Sequence, residues 1–292
     1  MTWQFTLAGL LVGVLVGMTG MGGGSLMTPI LILLFGFNAK VAVGTDILHG
    51  AIFKSFGAVR HRMLGTVHAR LASFMFIGSI PLSLLGVELS SSIGDSNMSQ
   101  LQRIVGGALI LGGTGFLART FISSRGSDAP FILATRDKVI AVLIGGFGGF
   151  VVGLTSVGSG TFFGLAMLFA YPLTAQKMVG TDMFHAAVLL WVAGISHLLH
   201  GDVDKHAMLW LLTGSIPGVL IGSHLSVRVP ERELRIGFGV ILVLSGLKLI
   251  PVPQANYVVA IGLGVAIAVT LLWWLYTRRV SRLRRLEAEQ PA

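Results

Sequence analysis

The sequence predicts an all-α polytopic membrane protein made of two inverted repeats, and three observations carry that prediction. First, the chain has 292 residues, of which 53% are hydrophobic and 11% charged. A soluble domain carries about 25% charged residues, so these few cannot cover a water-facing surface. Second, the two halves repeat each other at a constant offset of 136 positions. Third, the arginines and lysines gather on one side of a bilayer only if each half crosses it an odd number of times.

The repeat is read from polar punctuation as much as from apolar runs. Gly17–Ser25 reads GMTGMGGGS and Gly153–Thr161 reads GLTSVGSGT. Val43–His49 reads VGTDILH and Val179–His185 reads VGTDMFH. Gly78–Pro81 and Gly214–Pro217 both read GSIP, and His61, Gly65 and Gly86 match His197, Gly201 and Gly222. Chance similarity between apolar segments would not keep register through Asp, His and Pro without a gap.

A helix needs about 20 apolar residues to cross the hydrocarbon layer. In the first repeat, residues 5–118, the apolar segments cover 5–36, 41–59, 71–89 and 101–118. A polar linker follows at 119–136. The second repeat, residues 137–250, has segments at 139–171, 177–199, 207–225 and 234–250. An additional transmembrane helix, 255–277 with its apolar run at 257–276, precedes a basic tail at 278–292. The first segment of each repeat is too long for one simple span and is broken by glycine. A re-entrant hairpin with arms of about 12–15 residues fits better than two full spans.

If these broken segments return to the side they entered from, Arg60, Arg62, Arg70, Arg119, Arg125, Arg136, Lys138, Lys177, Arg228, Arg232, Arg235 and the tail arginines share one side. Only Lys40, Arg103, Lys205 and Lys248 lie opposite, and Lys54 falls within a span. The positive-inside rule then places the linker and the C-terminus in the cytoplasm and the N-terminus in the periplasm of an inner membrane. It also accounts for the net charge of +9 without nucleic acid.

Inverted repeats with interrupted helices bind substrate near the bilayer midplane, where half-helix N-termini meet it. Gly22, Gly23, Gly24 and Ser25 in one half, and Gly158, Ser159, Gly160 and Thr161 in the other, begin such half-helices. Free backbone N–H groups and roughly half a positive charge at each start suit an anion. Packing through small residues is the competing reading of the same glycines. Thr45, Asp46 and His49, with Thr181, Asp182 and His185, form the second set. Their threonines can donate to substrate and their Asp and His can move a proton. Each Asp can instead cap free N–H groups near a helix start, and each His can bond a neighbouring helix. Lys54, matched by Leu190, is a fixed cation that either attracts an anion or snorkels to the surface. His61 and His197 are expected as interfacial anchors, and Pro81 and Pro217 as kinks.

Taken together, the glycine run with Pro29, the paired VGTD segments, Lys54 within IFKSFGA, His61 followed by Gly65 and Val67, and GSIP resemble the sulfite exporter TauE/SafE family of membrane permeases. The resemblance covers about residues 5–250. It implies movement of a small sulfur-containing anion, such as sulfite or a sulfonate, without ATP hydrolysis. The chain departs from symmetry where Leu165 matches Pro29 and Leu190 matches Lys54.

The expected function is a secondary transporter or facilitator for a small anion, working by alternating access, with the lipid bilayer and that anion as partners. A membrane scaffold, or an intramembrane enzyme using Asp46 and Asp182, is the alternative. With no cysteine, no HExxH and no G-x-x-x-x-G-K pattern, the sequence offers no cofactor or metal site and no ATP drive. Homo-oligomerisation stays open.

Overall fold

A computed structural model describes residues 2–19, 24–94, 97–122, 131–225 and 231–250. Gly22, Gly23, residues 123–130 of the 119–136 linker, the expected helix at 255–277 and the 278–292 tail lie outside the described residues. Within them are ten α-helices and no strand. The first half gives α1 Thr2–Thr19, α2 Gly24–Leu33, α3 Ala39–Met63, α4 Ala69–Ser92 and α5 Met98–Phe121. The second gives α6 Thr135–Thr155, α7 Phe162–Ala170, α8 Ala175–Leu199, α9 Lys205–Leu225 and α10 Glu231–Leu249. Each helix of the second half sits close to 136 residues after its counterpart. Four of them, α4, α5, α6 and α8, are long and apolar enough to cross a membrane.

The packing follows the same duplication. Helix α1 lies along α9, as α6 lies along α4, while α3 meets α8 and α5 meets α10. Glycines set the register. Gly50 faces Leu190 and Gly57 faces Met183, so the counterparts α3 and α8 run antiparallel. Gly106 faces Gly246 and Gly113 faces Gly239, so α5 and α10 do too. Along α4 and α6, Gly145, Gly149 and Gly153 lie on the backbone at Met75, Ser79 and Ser83, and these two helices run parallel. Without a hydrophobic drive in lipid, such close backbone approach supplies the packing energy, and only glycine permits it.

Each broken segment doubles back. In the second half, α6 ends where Ser156 takes a left-handed conformation, with φ 62°. Gly158 and Gly160, at φ 129° and 92°, complete the turn into α7. Positive φ is a glycine conformation, so these two glycines serve the break and not helix packing. The ring of Phe163 then returns to pack on Gly148, and the Tyr171 hydroxyl donates to the Asp137 carbonyl at 2.9 Å. The start of α6 and the end of α7 therefore share one end of the molecule. In the first half the same closure brings the Phe5 and Phe35 rings to 4.6 Å. The arms differ from the expected 12–15 residues: they have 18 and 10 residues in one hairpin and 21 and 9 in the other. Glycine breaks the segment late, after a nearly full helix, because α1 and α6 must remain long enough to pack along α9 and α4.

The two ends of the bundle are tied by counterpart hydrogen bonds. At one, Thr45 Oγ1 accepts from the Asp204 N–H at 2.9 Å and Lys40 Nζ donates to the Ser91 carbonyl. At the other, Thr181 Oγ1 accepts from the His68 N–H at 2.9 Å. Pro81 and Pro217 lie inside α4 and α9, which continue through them.

Candidate functional site

The antiparallel pair α3 and α8 carries most of the predicted residues, and its middle is dry. Asp46, His49 and Lys54 are each 1% exposed or less, as is His185; Asp182 is also buried. A lysine so deep in a membrane protein marks a functional site by default, because an unneutralised charge there is costly. Lys54 Nζ donates to Ser159 Oγ at 2.6 Å, within the turn between α6 and α7. Its charge also interacts with both Asp46 and Asp182. Lys54 therefore points into the interior and does not snorkel to the surface.

Asp46 is a junction. Its Oδ2 accepts from the Thr28 N–H at 3.1 Å, from Thr28 Oγ1 at 2.6 Å and from Ser156 Oγ at 2.8 Å. Thr28 belongs to α2 and Ser156 to the α6–α7 turn, so one carboxylate joins the two hairpins. Asp46 therefore caps neither its own helix nor α2, since Thr28 is the fifth residue of α2. Asp46 takes a backbone N–H from α2, whereas α3 and α8 are capped by Asn38 and Thr174.

The two histidines are equivalent. His49 Nε2 meets Ser215 Oγ at 2.9 Å, and His185 Nε2 meets Ser79 Oγ at the same distance. Aromatic rings hold both imidazoles: Phe53 lies beside His49, and Phe76 and Phe163 beside His185. In each His the Nδ1 is buried without a protein partner, as are Asp46 Oδ1 and Thr161 Oγ1. Buried polar atoms are normally satisfied, so such a set marks a place where a solute or proton can bind.

Register decides which residues can act together. Lys54 faces the stretch of α8 near Ala186, beside His185. Asp46 faces α8 near Gly194, twelve residues from Asp182, which is about 18 Å at 1.5 Å per residue. The aspartates therefore cannot share a proton, and a two-carboxyl enzyme on this pair is removed. By the same geometry Thr45 and Thr181 lie at opposite ends, each holding the start of the next hairpin-linked helix. They cannot both touch one small anion. Gly158, Ser159, Gly160 and Thr161 line the turn, while of the first-half set Gly24 and Ser25 open α2.

His197 corrects the interfacial expectation. It is fully buried, with Nε2 at 3.0 Å from the Gly153 carbonyl and Nδ1 at 3.5 Å from Asp202. His61 is half-buried and meets Thr66 Oγ1 at 2.9 Å. The difference follows from the counterparts, since Thr66 stands where the other half has Asp202. Sequence reasoning missed Ser79, Ser215, Thr28 and Ser156. The first two had a signal, because the repeated GSIP contains them one residue after the glycine and was read only for its proline. Thr28 and Ser156 had none, since their partner is remote in sequence.

Comparison with known proteins places this arrangement. A family model described as "Sulfite exporter TauE/SafE" matches residues 5–249. The chain is 40% identical over 255 residues to the probable membrane transporter protein YjnA of Bacillus subtilis, covering 86% of this chain and all of that one. It is 26% identical to the probable membrane transporter protein YdhB of the same organism, over 82% of this chain and 96% of that protein. A probable membrane transporter protein of Xylella fastidiosa is 25% identical, with 83% and 92% covered. No solved structure matches.

Proposed function

The chain belongs to the sulfite exporter TauE/SafE family and is a multi-pass membrane transporter; from that premise we propose that it moves a small, sulfur-containing anion such as sulfite or a sulfonate by alternating access, as a secondary carrier. The observation that carries the reading is Lys54, a fully buried cation held against the α6–α7 turn. A fixed ammonium at mid-height attracts an anion and repels a cation. Ser159 Oγ is bonded to it, and His185, with an unpartnered Nδ1, lies on the facing stretch of α8. An oxyanion has several acceptor atoms, so it can take a charge-assisted bond from Lys54 and neutral bonds from the others at once. The start of α7 adds the positive end of a helix dipole.

In this reading the antiparallel counterparts α3/α8 and α5/α10 are inverted repeats across the bilayer. The two hairpins enter from opposite faces and meet in the middle. Rocking of one hairpin and its partner helix against the other opens the site to each side in turn. The substrate panel that tests it measures uptake of sulfite, thiosulfate, sulfate, methanesulfonate, acetate and bicarbonate into proteoliposomes. Uptake of the sulfur oxyanions is expected, and uptake confined to cations or neutral solutes overturns the proposal.

Orientation has its own test. The ends carrying Arg60, Arg62 and Lys177 are assigned to the cytoplasm of an inner membrane, and the ends carrying Lys40 and Lys205 to the periplasm. The chain has no cysteine, so single cysteines report position cleanly. Leu34, Met63, Ile132 and Leu199 are 76%, 83%, 81% and 81% exposed. Leu34→Cys and Leu199→Cys should react with an impermeant maleimide on intact cells lacking an outer barrier. Met63→Cys and Ile132→Cys should react only after permeabilisation. Labelling of Leu34→Cys and Met63→Cys from the same side would refute the assigned topology.

A further inference from the structure

We propose that Asp46 carries the coupling proton of this transporter, and that its carboxylate is the clasp whose protonation lets the two hairpins part. The proposal rests on the anion-carrier reading and deepens it. Three observations lead to it, none of which concerns the substrate itself.

The first is connectivity. Asp46 Oδ2 receives two donors from Thr28 of α2 and one from Ser156 of the α6–α7 turn. The two hairpins, one from each repeat, are thus joined through a single ionisable oxygen. An ionised acceptor makes hydrogen bonds roughly twice as strong as a neutral one. Protonation therefore weakens all three bonds together without removing any atom. Ser156 responds most directly, because it is a non-glycine residue held at φ 62°. Such a conformation persists only while its surroundings enforce it, and the bond to Asp46 is part of that enforcement.

The second is the other oxygen. Asp46 Oδ1 is buried and has no protein partner. A proton bound there forms the neutral acid while Oδ2 keeps its donors in weaker form. The carboxyl can thus load a proton without first dismantling the junction.

The third is charge balance. Among the described residues the buried carboxyls are Asp46, Asp182 and Asp202, against one buried ammonium, Lys54. His49 shares α3 with Asp46, and His197 on α8 and Asp202 in the following turn lie at the same end. The helix α2 and the 156–161 turn present hydroxyls and amides but no titratable group. An anion entering this set adds a further negative charge against one fixed positive charge. A proton on Asp46 removes one of them as the anion arrives. The anion and proton then travel together, and the proton leaves to water when the site opens on the other side.

The test uses the full chain in proteoliposomes with methanesulfonate, which stays ionised near neutral pH and so carries no proton of its own. Radiolabelled exchange at equal pH first establishes that the anion is carried. An inward methanesulfonate gradient should then acidify the lumen, read with a trapped pH dye. An imposed inside-alkaline gradient should raise accumulation about ten-fold per pH unit if one proton accompanies each anion. In Asp46→Asn, accumulation should no longer respond to the pH gradient, whatever its absolute rate. Asp46→Glu, which keeps the carboxyl, should retain the response. Wild-type exchange with no luminal acidification overturns the proton role while leaving the anion reading intact. So does accumulation driven by a sodium gradient at fixed pH, or an unaltered pH response in Asp46→Asn. If Asp46→Asn does not fold, absence of luminal acidification in the wild type still overturns the proposal, and so does loss of the pH response in a folded Asp46→Glu. If neither methanesulfonate nor any anion of the panel above exchanges, the carrier reading fails and this inference falls with it.

Discussion

Replacing Lys54 with methionine should abolish anion transport and leave the fold intact. Leu190 occupies the counterpart position, so an unbranched apolar side chain of similar length fits the space. Exchange of a buried charge for a well-packed apolar group is often neutral or stabilising, whereas leaving a buried charge without its partner costs about 3–5 kcal/mol. The bound anion is one partner left alone here, and Asp46 and Asp182 lose the same counter-charge. A loss of about 3 kcal/mol corresponds to about 100-fold in affinity. The expected result is a fall of two orders of magnitude or more in anion-dependent stabilisation and uptake, in a protein that still folds but melts at a lower temperature in detergent. Lys54→Arg is the informative companion. It keeps the charge but has a wider, planar head in place of the point charge that fits against Ser159, and a partial loss is expected. Uptake by Lys54→Met within three-fold of wild type would remove the ammonium from the site.

The second large effect is on folding. A Cβ on Gly149 would fall far inside van der Waals distance of the Ser79 backbone, and Gly145 and Gly153 meet Met75 and Ser83 in the same way. The clash is with main chain, which cannot rotate aside. Gly149→Leu must drive α4 and α6 apart, and overpacking of this kind costs about 1–3 kcal/mol even where side chains can move. The displaced helix also carries Ser79, the partner of His185. Loss of monodisperse protein, or a fall in melting temperature far beyond that of neighbouring substitutions, is expected. Gly107→Ala is the control. Nothing lies within 4 Å of its added Cβ, and alanine favours a helix by about 1 kcal/mol over glycine. Its stability should match or exceed wild type. Equal tolerance of both changes would show that the close α4–α6 register is wrong.

Glycine plays two different parts in this fold. The sequence offers two readings of the glycine runs, a break that begins a half-helix and packing through small residues. In the fold, Gly158 and Gly160 turn the chain at positive φ, while Gly145, Gly149 and Gly153 admit a neighbouring backbone. The four-residue intervals of Gly145, Gly149 and Gly153 put them on one helix face.

The site was legible in its residues more than in its roles. Asp46, His49, Lys54 and His185 are buried together on α3 and α8, as their intramembrane position required. Thr45 and Thr181 turned out to hold loop backbones at opposite ends. Asp46 takes a backbone N–H from within a helix that is not its own. His197 is interior because Asp202 and Gly153 receive it, a pairing its counterpart His61 lacks.

What the sequence determined alone was the duplication, the membrane character and the broken first segments. Those follow from composition and from a repeat kept in register, both of which are properties of the chain read in order. Family membership was already present in the same motifs. Tertiary structure alone decided that counterpart helices meet antiparallel, that the two aspartates stand far apart, and that Lys54 reaches Ser159. The physical reason is that these are relations between residues more than a hundred positions apart. Their distances are set by helix register, and helix register is set by where glycine lets two backbones touch.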